Sequence, residues 1–142
     1  MVYQKSGLDY IVRLEKGEEI CSSLLRFAEM ENILSASVTG IGATDDFTVG
    51  IYEPARKAYD PIHLTGDHEI TALTGNLTRK DGCAYQHLHI TCAGLGGTVT
   101  GGHLVSGTVS LTAEIFVHAS ELRAERRRDD ALGINLIAFD AD

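Results

Sequence analysis

Tyr85-Gln86-His87-Leu88-His89-Ile90-Thr91-Cys92, followed by Gly101-Gly102-His103-Leu104, is the stretch that decides the fold. Its residues alternate with period two, as a half-buried strand requires. Leu88, Ile90 and Cys92 share one face, and Tyr85, His87, His89 and Thr91 share the other. In the second segment Leu104 belongs with the apolar set and His103 with the opposite one. Facing residues of a hairpin point to the same side, so the register must set histidine against histidine. A three-residue turn at Leu95-Gly96-Gly97 meets that condition and puts His89 directly across from His103. The two glycines before His103 could instead host a bulge.

The same short-period pattern runs outward through most of the chain. Tyr10 to Leu14 is a β-prone run, and Ser35 to Thr39, Phe47 to Tyr52 and Tyr59 to Leu64 follow, the last beyond a Glu53-Pro54 turn. Glu69 to Leu77 sets Ile70, Ala72 and Thr74 against Thr71 and Leu73. Strands at Gly101 to Val109 and Leu111 to His118 complete the set. One helix is expected after Gly17, because Ile20, Cys21, Leu24, Leu25 and Ala28 fall on one side at helical spacing. Glu18 and Glu19 stand in its first turn and Asn32 at its stop. No helix separates successive strands, which excludes a wound α/β pattern. The expected architecture is α+β: a mostly antiparallel sheet, shaped like a flattened barrel, with one main helix packed on it.

The 142 residues, 44% hydrophobic and 23% charged, suit one domain spanning 1–142 and exclude a multi-domain machine. Twelve basic against twenty acidic residues leave a formal charge of −8, which repels a polyphosphate at long range. Three cysteines, Cys21, Cys83 and Cys92, lack CxxC spacing and read as small buried hydrophobes rather than a disulfide framework. The first residues carry no apolar run of the signal-peptide kind, and no stretch approaches membrane-spanning length. A cytoplasmic protein is expected. Glu121 to Asp130 balances four arginines with four acids and reads as a solvated strand pair, turned at 129–133, with Ile134 to Phe139 returning to the sheet.

Cross-strand Cβ atoms lie about 4.5–5.5 Å apart and diagonal neighbours about 7–8 Å. Three imidazoles at such separations, His87, His89 and His103, can converge on one divalent metal, zinc being the first choice for an imidazole set. Such an ion keeps both positive charges, so it would lower the pKa of a bound water or hold a small anion. The alternative is a row of sheet-face histidines that hydrogen-bond one another or fill a subunit contact. An HxH pair also occurs in cupins, but their downstream acid is missing here. Gly40-Ile41-Gly42-Ala43 opens like a nucleotide loop, yet a strand rather than a helix follows. Glu69 is the candidate acid, with a solvated strand-end carboxylate as the plainer reading. His63, His68 and His118 read as isolated polar positions.

The ordered set Val38-Thr39-Gly40-Ile41-Gly42, Gly66-Asp67-His68-Glu69-Ile70-Thr71-Ala72-Leu73-Thr74-Gly75, Gln86-His87-Leu88-His89, Gly101-Gly102-His103-Leu104 and Gly133-Ile134-Asn135-Leu136 resembles the plants-and-prokaryotes-conserved (PPC) domain family over nearly the whole chain. The resemblance implies an antiparallel sheet with one helix, assembled as a homotrimer. Plant members follow an AT-hook and typically show Gly-Arg-Phe-Glu-Ile in place of residues 66–70, without the paired histidines. Stand-alone bacterial and archaeal members keep His87, His89 and His103. This sequence holds no Arg-Gly-Arg-Pro, so any DNA association expected is weak or indirect. The expectation is a regulatory, metal-binding homotrimer. Its rivals are a metal-dependent enzyme on a small anionic or carbonyl substrate, with Glu69 moving the proton, and direct duplex binding through Arg123 and Arg126 to Arg128.

Overall fold

A computed structural model describes residues 1–139. In chain order the elements are β1 (Val2–Ser6), β2 (Asp9–Glu15), α1 (Ile20–Met30), β3 (Ser35–Glu53), β4 (Ala58–Lys80), β5 (Cys83–Gly94), β6 (Val99–Ser120), β7 (Glu125–Asp129) and β8 (Ile134–Ala138). A short 3₁₀ turn at Leu95–Gly97 joins β5 to β6. No helix among the described residues is long and apolar enough to cross a membrane.

The α+β class is as expected, with one α-helix on a largely antiparallel sheet, but the barrel is uneven. β3 pairs with β4, β4 with β5, β5 with β6, and β6 returns to β3. That closes a ring of four long strands. β1 and β2 extend from β6, while β7 and β8 hang from β4 by the single parallel pair Arg79↔Glu125. β2 meets β6 across roughly a hundred residues of sequence, from Asp9↔His118 to Glu15↔Thr112. The short strands expected at 35–39 and 47–52, and at 59–64 and 69–77, are the two halves of β3 and β4. Register shifts bend these strands without ending them, as bulges do.

One such shift corrects the expected parity of β4. Ile70 faces Cys92 while Ala72 faces Thr91, so Thr71 is the extra residue. Its hydroxyl donates to the Thr91 carbonyl at 3.0 Å. Ile70 and Leu73 therefore share the buried face, whereas Ala72 and Thr74 are exposed.

β2 buries Tyr10, Val12 and Leu14 in strict alternation. α1 lies across β5 and β6 and buries Ile20, Cys21, Ser23, Leu24, Phe27 and Ala28, while Leu25, expected on that face, is only half-buried. Glu19 stands one position before the helix rather than in its first turn. Its carboxylate accepts from the backbone N–H of Cys21, Ser22 and Gly107 at 3.0, 2.6 and 3.1 Å. Burial alone would raise its pKa, but these donors outweigh it and leave the carboxyl below the usual range. Phe27 is closed on edge by Tyr3 and Tyr10, centroids 5.2 and 5.1 Å away. The helix ends before Asn32, which takes a positive φ of 50°.

Arg79 of β4 sits under that end, buried. Its guanidinium donates to the carbonyls of Ile33 (2.7 Å) and Ala28 (3.3 Å) and pairs with Glu29 at 2.7 Å. Cys21 and Cys92 are buried, which pushes their thiols up to about 12 and about 11. Cys83, expected inside, is exposed, because it opens β5 directly after the Asp81-Gly82 turn.

Candidate metal centre

β5 alternates as its sequence demands. Leu88, Ile90 and Cys92 point into the core, 1%, 1% and 0% exposed, so His87 and His89 must face the other way. His103 arrives from β6 in the pairing His89↔His103, and the ladder continues without a bulge to Ala93↔Val99. Gly101 makes the close approach feasible: a Cβ there would lie 2.4 Å from the Ile90 carbonyl oxygen. His103 also pairs with Gly50 of β3, so it stands where β6 leaves β5 and joins β3.

The three rings converge. Their centroids are 5.3 Å apart for His87 and His89, 5.2 Å for His87 and His103, and 5.6 Å for His89 and His103. One ring nitrogen from each falls within 4.8 Å of the other two. His87 and His103 are half-buried and His89 is exposed. Tyr59 stacks on His103 at 4.7 Å and 28°. The His103 Nδ1 is buried with no hydrogen-bond partner among the described residues. A buried imidazole nitrogen in that state is short of one interaction. Burial, and then the neighbouring His87 and His89, press the His103 pKa down to about 4. Burial, Arg126 and His89 lower His87 as well. Neutral imidazoles with free nitrogens are the donor set a divalent cation takes, so the residues fit a metal.

These depressed values give an expected pH dependence for the metal-free protein. The unfolded chain protonates its histidines near pH 6.5, whereas folded His103 resists until about 4. The folded state binds fewer protons in that window, so its stability is complete above about pH 6.5 and falls as the pH drops towards 4. Urea unfolding in the presence of a chelator should show the decline. His103→Leu should flatten it, and an unchanged slope would contradict the assignment.

The structure does not bring Glu69 to this site. Glu69 pairs with Ala93, four residues along β5 from His89, or about 13 Å at strand rise. It lines a separate hollow with Asp67 and His68. His63 and His118 pair with Asp46 and Asp9, and His68 packs on Phe47. β7 and β8 form the expected strand pair, but Arg126 is not solvated. It is 4% exposed, bound to Asn76 Oδ1, Thr78 Oγ1 and the Asn135 carbonyl, and lies over the Tyr85 ring. Arg123 pairs with Glu125, and Arg128 lies 3.8 Å from Asp130.

Sequence reading missed Tyr59 and Arg126 as neighbours of the cluster. Tyr59 was within reach, since Tyr52 and Tyr59 face each other one pair back from the four-residue turn at 54–57.

Residues 1–121 match the family model of the Plants and Prokaryotes Conserved (PCC) domain. The chain belongs to this family. A solved structure from Bacteroides thetaiotaomicron, described as a candidate DNA-binding protein, superposes with a TM-score of 0.94 at 35% identity, over 97% of this chain and 96% of that one. A protein of Archaeoglobus fulgidus, described as metal-containing, gives 0.87 at 31% identity over 98% and 99%. The Bifunctional protein GlmU of Synechococcus sp. is 33% identical over 133 residues, covering 87% of this chain but 19% of that protein. The PCC domain thus spans about a fifth of the curated relatives it matches.

Proposed function

We propose that this PCC domain is a cytoplasmic, homotrimeric regulatory module that binds a divalent cation, zinc, through His87, His89 and His103. The convergence of three imidazoles, one with a buried unpartnered nitrogen, carries this reading. The metal-containing description of the Archaeoglobus relative supports it. When bound, the ion supplies a concentrated positive charge and Lewis acidity at any position the histidines leave open. Among the chain's own residues, Tyr59 covers His103, and Arg126 behind His87 favours its neutral form.

A match confined to a fifth of a larger bifunctional protein fits a module that serves other units. DNA association, suggested by the Bacteroides relative, would run through a partner. Arg126 is buried, Arg123 and Arg128 face acids, and the chain carries −8. The trimer is supported by the open outer face of β2, β3 and β6. There Ile11 (49%), Ile41 (59%) and Phe116 (55%) stay exposed, with Ile11 and Phe116 directly paired.

Elemental analysis with light scattering tests both claims on one preparation. Wild type should carry about one zinc per chain at trimer mass, and His89→Ala roughly a tenth of that or less. Equal metal in both proteins would dismiss the cluster, and a monomeric wild type would dismiss the trimer.

A further inference from the structure

We infer that the cavity beside the three histidines binds a small organic carboxylate, selected by Lys57 and by Arg128 of the C-terminal hairpin; this rests on the metal reading above. The cavity measures about 300 Å³ and lies between the tip of the β3–β4 hairpin and the turn joining β7 to β8, with His87 and His103 in its wall. That volume is at the lower end for small-molecule sites, too small for a peptide or a dinucleotide.

The charge of its lining runs against that of the chain. Acids outnumber bases twenty to twelve overall, yet among the described residues Lys57 and Arg128 line the cavity and no Asp or Glu does. Two cations lining one cavity set a positive potential there, and the metal would add to it. Tyr52, Tyr59 and Tyr85 furnish flat apolar walls, which suit an organic acid better than an inorganic anion. The Tyr85 hydroxyl accepts from Asn135 Nδ2 at 3.3 Å and keeps its own proton to donate.

The walls are held in place. Lys57 Nζ donates to the Asp130 carbonyl at 2.7 Å, and the Tyr52 hydroxyl donates to that of Leu132. Gly133, at φ +75°, lets the turn sit so close that a side chain there would lie 2.8 Å from Lys57 Cβ. Among the described residues Arg128 is only loosely engaged, 3.8 Å from an Asp130 carboxylate that is 97% exposed. A desolvated ligand carboxylate would compete well for it. Arg128 lies beyond residues 1–121, in the segment outside the family match, whereas Lys57 lies within it.

The test uses the full chain loaded with Co²⁺ and titrated with benzoate, benzamide and inorganic phosphate, read by the cobalt visible band and by calorimetry. Benzoate should bind and perturb the band, with benzamide and phosphate each weaker by about tenfold or more. Lys57→Ala/Arg128→Ala should keep its cobalt and lose about tenfold or more in benzoate affinity. With cobalt retained, a variant that binds like wild type, benzamide or phosphate matching benzoate, or no response at about 10 mM benzoate, overturns the inference. If the protein holds no cobalt, the metal reading fails separately. Calorimetry then still decides the cavity: benzoate binding that needs Lys57 and Arg128 sustains it, and no binding refutes it.

Discussion

Gly75→Ala is expected to lose more than about 4 kcal/mol of stability, enough to leave the domain largely unfolded at 37 °C. Gly75 sits in β4 at φ +154°, between Val38 of β3 and Leu88 of β5. A Cβ on it would lie 2.0 Å from the His87 carbonyl oxygen and 2.9 Å from Leu88 Cα. Those are backbone atoms of a paired strand, so no rotamer relieves the clash. Either β4 and β5 part, or the fold gives way. Parting them would displace His87 as well. Gly82→Ala separates this clash from the general cost of a positive φ. Gly82 has φ +83° with nothing within 4 Å of a built Cβ, so its loss should be about 1–2 kcal/mol. Urea midpoints of the two variants check the contrast; similar midpoints would show that the β4–β5 spacing yields.

Arg79→Met should cost about 3 kcal/mol. The thioether fills much of the volume but leaves the Ile33 carbonyl without its guanidinium donor beneath the helix end, while the Ala28 carbonyl keeps the backbone N–H of Ile33. Glu29 keeps the backbone N–H of Ala84, and it is half-exposed, so loss of the ion pair itself adds little. Lysine should recover only part of the loss, because one ammonium cannot reproduce the planar fork that reaches four acceptors. Denaturant unfolding followed by helix circular dichroism measures both. A Met variant as stable as wild type would show that water takes over the guanidinium's work.

Neither residue stood out in the sequence, whereas the histidine register did. An alternating strand leaves two choices of face, and Leu88, Ile90, Cys92 and Leu104 are apolar enough to decide between them. The amphipathic helix was equally readable. Bulges are where legibility stopped: one extra residue at Thr71 reverses parity, and nothing in Ile70-Thr71-Ala72 announces it. Arg79 and Arg126 sit in stretches whose charges read as solvated, and their burial depends on carbonyls and amides supplied from elsewhere in the chain. Glu69 was separated from the site by distance along a strand longer than expected. The β4–β5 hairpin was within reach, since Asp81 and Gly82, at φ 52° and 83°, form the Asp-Gly pair typical of a two-residue turn.

The pairing of β2 with β6 bears on how the molecule is made. During synthesis β2 emerges first and waits while roughly a hundred further residues are added before its neighbour exists. The edge of a two-stranded ribbon carrying Tyr10, Val12 and Leu14 stays open through that interval, in need of shielding from other nascent chains. Productive folding is therefore slow and largely post-translational, with β6 as the last long strand to emerge and the one that β2, β3 and β5 all pair with.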